Sequence, residues 1–168
     1  MAKMNFNGCE ELIDKLSRIG DEAPKITAAA LYEGAKITAD MLRESASSLP
    51  EELFHPLPGA HNNGEDANPL NVLTPDDKAD LLSTIYVKKF DHDTNGVSTV
   101  ISFASGYSRH KSKKYPNGIP LPMIARSIES GSSSRRKHPF VRTTASKAKK
   151  PATAAMQAKL DEYINEIK

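Results

Sequence analysis

The sequence has few of the features on which disulfide-linked, secreted or membrane-spanning proteins depend. A single cysteine, Cys9, excludes an internal disulfide and fits a reducing compartment. No apolar run approaches the roughly 18 residues that a transmembrane helix needs. The first residues, MAKMNFNGCEEL, hold no apolar core of the kind found in secretion signals. We therefore expect a protein with no membrane partner and no secretion signal.

Large aromatic side chains are also scarce. The 168 residues include no tryptophan, five phenylalanines and five tyrosines, and 38% of the chain is hydrophobic. A chain of this length usually forms one domain and can bury a core, although this core must be lean. We predict a single domain over residues 1–168.

Clusters of metal-binding or catalytic residues are missing from the sequence as well. His92, between Asp91 and Asp93, comes nearest to a metal site, but aspartates in a hairpin turn more often bond to the local backbone. There is no glycine-rich phosphate loop and no nucleophile elbow. We expect no catalysis, no cofactor and no bound metal. The other histidines are scattered singly, at positions 55, 61, 110 and 138.

Acidic residues are nearly absent from one long segment, although the net charge of the chain is only +2. Residues 1–105 carry 9 basic and 17 acidic side chains, whereas residues 106–150 carry 12 basic side chains and one acid, Glu129. Such separation indicates a basic surface that meets something negative: a nucleic acid, or the acidic half of a neighbouring copy. Lysines on solvated loops would produce the same count, and composition alone does not decide between the two.

Two helices are predicted in the N-terminal part. Residues 7–19 have a capping residue at Asn7, and a glycine, Gly20, to end the helix. A longer helix is predicted from Pro24 to about Ser47. Proline suits a first helical turn, and small apolar residues recur after it at helical spacing.

A long loop and a β-hairpin are predicted next. Residues 49–75 hold five prolines and two glycines, which is typical of a loop. Residues 80–90 are expected to begin the sheet, and Asn95-Gly96 to form a turn. The alternating VSTVISFAS, from Val97 onward, is expected to be the second strand.

The last third combines basic loops with short apolar segments. Residues 106–138 form a predicted basic loop region, interrupted by MIARSIES, a short helix or strand that ends at Gly131. Pro139 and Phe140 are predicted to start a helix with Phe140 in the core, and Pro151 either kinks this helix or begins another. We predict an α+β fold, in which a small antiparallel β-sheet packs against N-terminal and C-terminal helices, with long loops.

Glu129 has two interpretations. It is a candidate general base, together with His138, in a nuclease-like site. A lone carboxylate without a partner acid is a poor phosphodiester site, however. We therefore favour an ion pair with Arg126, Arg135 or Arg142, or a contact with backbone N–H groups.

The basic side chains have two candidate partners, a nucleic acid and another protein. Tyr107 and Tyr115 lie among them and are suited to stacking on bases, but no DNA- or RNA-binding motif accompanies them. Nonspecific DNA binding by residues 106–150 is thus the alternative to a protein-docking surface. The residues predicted to dock a partner are Arg109, Lys111, Lys113, Lys114, Arg135, Arg136 and Lys137.

Three stretches, in this order, resemble one family of tailed-bacteriophage proteins. They are FNGCEELIDKLSRIGDEAPKITAAALYEGAKITADMLRESA, then DLLSTI before the hairpin, then IARSIESGSSSRRKHPFVRTTASKAKK. The family is the tail-component or head–tail joining group typified by gene product ten of phage Hong Kong 97. In this resemblance Glu129 and Gly131 make a Glu-x-Gly corner, and Pro139 and Phe140 open the last helix after a variable loop.

The resemblance implies a structural protein of the phage neck or upper tail, assembled in the host cytoplasm and carried in the virion. It implies a ring of copies, expected to be sixfold, with neighbouring neck and tail proteins as partners and DNA close by in the channel. The head-to-tail contacts of a ring join two different surface patches, which suits a chain with an acidic part and a basic part. Because DNA must slide through such a channel, we favour protein contacts for most of the basic residues.

Overall fold

The structure is a computed structural model, and it describes residues 9–54, 73–88, 91–93, 96–109, 111, 115–131 and 136–167. Its helices and strands follow one another along the chain as α1 Cys9–Ser47, a 3-10 helix Glu51–Phe54, α2 Pro75–Ser83, β1 Ile85–Val87, β2 Asp91–Asp93, β3 Gly96–Ser98, β4 Ile101–Phe103, α3 Leu121–Ser130 and α4 Phe140–Ile167.

The N-terminal helix α1 is continuous over 39 residues, so the prediction of two helices separated near Gly20 is wrong. Pro24 lies inside α1. Because proline has no N–H, the carbonyl of Gly20 loses its usual donor four residues later. Gly20 is exposed, and no atom lies within 4 Å of the position that a Cβ would take. Water can therefore reach that carbonyl, and the helix continues past the proline.

Helix α2 lies where the sequence analysis predicted the end of a loop and the beginning of a strand. Residues 80–83 belong to this helix, so they do not begin the sheet. Oδ2 of Asp77 accepts the Thr74 backbone N–H at 2.7 Å, and the Asp77 N–H donates to the Thr74 carbonyl at 3.0 Å. Such a capping box, followed by Pro75 in the first turn, favours a helix start. Residues 55–72 of the predicted loop lie outside the described residues.

The strands form two short antiparallel pairs that are nested in one hairpin. Ile85 of β1 lies opposite Phe103 of β4, and Asp91 of β2 lies opposite Ser98 of β3. The register shifts by one residue between the two pairs, as at a β-bulge. The hairpin was predicted; Gly96, which was expected to belong to its turn, is the first residue of β3, and Asn95 lies outside the described residues.

The helices pack against the sheet, which confirms the predicted α+β fold. Helix α1 contacts β1, β3 and β4, and it also packs along the length of α4. The core is built from every helix and from the β1–β4 pair. Its buried members are Leu42, Ala46, Leu49, Phe54, Leu73, Leu81, Ile85, Ile119, Leu121, Ile124, Ala125, Ile128 and Phe140.

Small residues line the contact between α1 and α4. Ala30 and Ala39 are buried on α1, and Ala148 is buried on α4. A Cβ at Gly34 would collide with the flexible side chain of Met156, so the glycine leaves room for the present position of that side chain. The narrow stripe of small residues on α1 was visible in the sequence, and the structure shows that α4 is the helix that packs on it.

Part of the predicted basic loop is held in place by backbone hydrogen bonds. Ser108 donates its N–H to the Ile119 carbonyl at 2.8 Å, and Leu121 donates to the Gly106 carbonyl at 2.9 Å. Gly118, which directly precedes Ile119, has a φ of 99°, and a Cβ there would collide with the Ser108 carbonyl. The two sides of this loop are thus fixed to each other at its base.

The predictions for the last third agree with the structure at both helix boundaries. MIARSIES belongs to helix α3, which ends at Gly131 with a φ of 76°. Helix α4 begins at Phe140, directly after Pro139, as predicted. It continues unbroken through Pro151, so the alternative in which that proline begins a new helix is wrong.

We predict that Phe140→Ala lowers the free energy of unfolding by about 3–5 kcal/mol. The Phe140 side chain is only 2% exposed, and its ring packs edge-on against Phe103 with the ring centroids 6.3 Å apart. Equilibrium denaturation measures the loss, with Val100→Ala, at a side chain 56% exposed, as the control. An unchanged melting temperature in the Phe140 variant would contradict this burial.

Candidate interaction surface

The carboxylate of Glu129, near the end of α3, binds the first turn of α4. Its Oε2 accepts the Val141 backbone N–H at 2.8 Å. Its Oε1 accepts the Arg142 backbone N–H at 3.2 Å and the Arg142 side-chain Nε–H at 3.0 Å. One side chain therefore satisfies two backbone donors of a helix that begins 11 residues later, and forms an ion pair beside them.

The geometry of this contact follows from how helices begin. The first backbone N–H groups of a helix have no acceptor within it, and they give the helix start a partial positive charge. The chain between α3 and α4 also returns on itself, because the His138 N–H donates to the Ile128 carbonyl at 2.8 Å. Gly131, with its positive φ, starts that return. We call Glu129, Gly131, Pro139 and Phe140 together the α3–α4 corner.

The environment of Glu129 lowers its pKa. Burial opposes ionisation, since the side chain is only 14% exposed. The hydrogen bonds from the Val141 N–H, and then those from the side chain and backbone of Arg142, outweigh that effect. The pKa of Glu129 thus lies below its ordinary value of 4.5. The charged carboxylate stabilises the fold above pH 4.5, and this stabilisation is lost as the pH falls through the folded-state pKa.

The favoured interpretation of Glu129, a contact with an arginine and with backbone N–H groups, is what the structure contains. Of the three candidate arginines, Arg142 forms the ion pair. Arg126 is exposed and makes no ion pair with a described carboxylate, and Arg135 lies outside the described residues. Both oxygens of Glu129 accept hydrogen bonds, which leaves the carboxylate poorly placed to act as a general base. The backbone of His138, its proposed catalytic companion, bonds to α3.

Arg109, a predicted docking residue, has carboxylate partners within its own chain. Its Nε lies 3.1 Å from Oδ1 of Asp80, and its backbone N–H donates to Oδ2 of the same side chain at 3.1 Å. Asp76 lies 3.7 Å from its guanidinium. The loop after β4 is therefore fastened to α2, and part of the charge of Arg109 is offset within the protomer. The sequence analysis missed this pairing, because 29 residues separate Asp80 from Arg109.

The other predicted docking residues divide into two groups. Lys111, Arg136 and Lys137 are exposed, and none of them forms an ion pair with a described residue. Arg136 and Lys137 lie between Gly131 and Pro139 of the α3–α4 corner. Three of the predicted residues lie outside the part of the chain that the structure describes: Lys113, Lys114 and Arg135.

An open groove runs beside the α3–α4 corner. We call it the α3–α4 groove; its volume is about 470 Å³, and side chains of β4, α3 and α4 form it. Phe103, Ala125 and Val141 contribute apolar side chains to its lining, which we call its floor, and the exposed Arg126 belongs to its charged lining, which we call its edge. In the sequence, Arg126 was a candidate only as a partner for Glu129. Its place in this groove could not be predicted, because the groove lies between three elements that are far apart in the chain. The complete lining is Phe103, Pro122, Ala125, Arg126, Glu129, Ser130, Val141 and Arg142.

Unpaired acidic side chains lie on a different part of the surface. Glu51 and Glu52 are exposed on the 3-10 helix, and neither forms an ion pair with a described residue. The 3-10 helix is held against α2 by Lys78, whose Nζ donates to the Leu49 carbonyl at 2.8 Å and lies 5.9 Å from the Phe54 ring centroid. We call Glu51 and Glu52 the acidic edge.

Metal-binding clusters and membrane-spanning helices are both absent from the described residues. No group of three or more His, Cys, Asp or Glu side chains lies close enough together there to hold a metal ion. No helix in that part of the chain is long and apolar enough to cross a membrane. Several residues named in the sequence analysis have side chains outside this description, namely Cys9, His55, His61, His92, Asn95 and His110.

No family model matches the chain, and no match was found among curated proteins or solved structures. The resemblance to the phage tail-component family therefore stays a prediction, carried by the residues quoted for it.

We predict that Glu129→Ala lowers the free energy of unfolding by about 1–2 kcal/mol at neutral pH, the usual range for losing a helix N-cap. The difference in free energy of unfolding between wild type and variant should persist above pH 4.5. It should become smaller as the pH falls through the folded-state pKa of Glu129. Urea unfolding at neutral and acid pH measures this difference. Glu52→Ala, at an exposed and unpaired carboxylate, is the control. A difference that is independent of pH would contradict the role of the charge.

Proposed function

We propose that this chain is a structural subunit of the neck or upper tail of a tailed phage. In this proposal, copies of the chain assemble head to tail into a ring, expected to be sixfold. The ring completes the tail or joins it to the head, without catalysis. Its partners are other copies of itself and the neighbouring neck and tail proteins, and DNA passes close by.

The observation that carries the proposal is the α3–α4 corner. The resemblance rests most heavily on a Glu-x-Gly corner followed, after a variable loop, by Pro-Phe at a helix start. In the structure these separate signature residues form one unit, because the Glu129 carboxylate binds the α4 turn that Phe140 begins. These four residues therefore act together: they end α3, start α4 and hold the two helices in contact. This supports the resemblance, and through it the assignment to a morphogenetic protein.

The distribution of unpaired charge supports assembly with other copies. Arg126, Arg136 and Lys137 are exposed near the α3–α4 corner without described ion-pair partners, and the acidic edge is likewise unpaired. Within the protomer, these two sets of charges are on different elements. A subunit that presents a positive patch and a separate negative patch is suited to heterologous contacts.

We predict that reversing the charges of Arg135, Arg136 and Lys137 to glutamate prevents ring formation but leaves the melting temperature unchanged. Arg136 and Lys137 are exposed and form no ion pair within the described part of the chain, so their reversal costs the fold little, whereas a docking surface would change sign. Negative-stain microscopy and light scattering on concentrated protein measure assembly.

A matched triple variant, Lys25→Glu, Lys36→Glu and Lys88→Glu, changes the net charge equally at exposed sites elsewhere. It should still form rings. Rings formed equally well by the Arg135–Lys137 variant would refute the docking role of this segment, and a wild-type protein that remains monomeric at every concentration would refute the ring.

Nonspecific DNA binding is the second candidate function, and one observation favours it. No acidic residue occurs between Glu129 and Asp161, and Lys147, Lys149 and Lys150 are exposed on α4 without described ion-pair partners. A helix surface of this kind can track a phosphate backbone without reading its sequence.

We predict that any such binding is weak and steeply salt-dependent, because it depends on displaced counterions. Gel shifts of duplex DNA at low and moderate salt measure it, with Lys147→Gln/Lys149→Gln/Lys150→Gln as the variant. Tight binding that survives moderate salt and is lost in this variant would favour the DNA-binding function over the ring. Cleavage of the DNA in the presence of a divalent metal would instead indicate an enzyme.

A further inference from the structure

We propose that the α3–α4 groove is the binding site for the acidic edge of a second copy of this chain. The inference rests on the proposed function, self-assembly into a ring, and it names the two surfaces that meet. In this contact Arg126 faces Glu51 and Glu52 of the second copy, while the 3-10 helix that carries them lies over the apolar floor.

The groove has the composition of a protein-docking site. Phe103 and Val141 are only partly buried by their own protomer, and Pro122 is exposed beside them. Covering these side chains removes apolar surface from water, which is the main favourable term in association. The Arg142 guanidinium at the edge is already engaged by Glu129. Arg126 therefore contributes the groove's free positive charge among the described residues.

The acidic edge has the complementary composition. Its two glutamates are consecutive and exposed, and neither forms an ion pair with a described residue. Leu53 follows them and is half-buried. A segment with two adjacent carboxylates next to an apolar side chain suits a groove with an arginine at its edge and an apolar floor. Charge pairs at such a contact contribute mainly orientation and selectivity, and the apolar floor contributes most of the affinity.

The two surfaces belong to different elements of one protomer. The groove belongs to β4, α3 and α4, whereas the acidic edge is held against α2. The other side of the α4 N-terminal part faces α1, where Thr144 and Lys147 border a notch with Glu44. Because the groove and the acidic edge are different patches, the contact between copies is heterologous and can repeat from copy to copy. A suitable rotation between neighbouring copies closes the series into a ring.

Complementary charge reversals test the contact. One variant is Arg126→Glu, and the other is Glu51→Lys/Glu52→Lys. Each alone places like charges opposite each other, so self-association should weaken by at least about tenfold. Mixing them should restore assembly in alternating order, because each remaining contact then joins opposite charges. A triple variant with all three reversals in one chain should assemble by itself.

Folding is checked separately from assembly. The side chains of Arg126, Glu51 and Glu52 are exposed and form no ion pair with a described residue, so each variant should keep the wild-type melting temperature. Lys36→Glu, at an exposed site on α1, is the matched control and should assemble like the wild type. Light scattering and sedimentation measure the mass of the assemblies.

A disulfide trap tests the contact directly, even where assembly is weak. In a Cys9→Ser background, which removes the only cysteine, Ser130→Cys marks the groove and Glu52→Cys marks the acidic edge. Mixing the two singly marked proteins under mild oxidation should give a mixed dimer joined through those positions. Disulfides form only when the two Cβ atoms come within about 4.5 Å. Lys36→Cys, paired with Ser130→Cys, should give none.

The outcomes separate this inference from the function on which it rests. If wild-type rings form while both charge variants assemble normally and no mixed disulfide appears, the groove contact is wrong and the ring stands. If the wild type never self-associates and the trap stays empty, both fail. If Arg126→Glu leaves assembly unchanged but weakens DNA binding, the groove side chain serves a nucleic acid, and the proposed contact between copies is overturned.

Discussion

The binding of the Glu129 carboxylate to the start of α4 is the contact on which the C-terminal half of this protein depends. A helix start needs acceptors for its first N–H groups, and Pro139, the residue directly before α4, has no side-chain acceptor. Glu129 supplies the acceptor from the preceding helix. The same contact fixes α3 against α4, places Phe140 in the core and shapes the neighbouring groove. The Glu129 side chain thereby caps α4, holds α3 against α4 and lines the proposed docking surface.

The close packing of α1 and α4 determines which side chains are left for other partners. Small residues and Gly34 let the two helices approach, so their contact needs no charged groups. Several charges elsewhere are used inside the protomer: Arg109 binds Asp80, and Arg43 donates to the Ile85 carbonyl. Around the α3–α4 corner, by contrast, the exposed Arg126, Arg136 and Lys137 form no ion pair with a described residue. A protomer that leaves one basic surface and one acidic edge unpaired is suited to repeated self-association.

The signature Glu129 to Phe140 gains a physical explanation that a family resemblance alone does not supply. Gly131 allows the positive φ that ends α3, the His138 N–H donates to the Ile128 carbonyl, and the Glu129 carboxylate binds the first turn of α4, which Phe140 begins. The segment between the glycine and the proline can vary in length and composition, because the contact is made by the residues at its two ends. A variable, basic segment held at a fixed corner is a suitable place for contacts that differ from one partner to another.

The sequence by itself determined the features that depend on a residue and its near neighbours. These are the α+β class, the end of α3 at Gly131 and the start of α4 at Phe140. Glycine conformations, alternation and helical spacing act over a few residues, so they can be recognised in the chain. The tertiary structure decided that α1 continues through Pro24, that Arg142 rather than Arg126 pairs with Glu129, and that a groove opens beside them. These outcomes depend on solvent access and on contacts between elements far apart in the chain, and no local pattern carries that information.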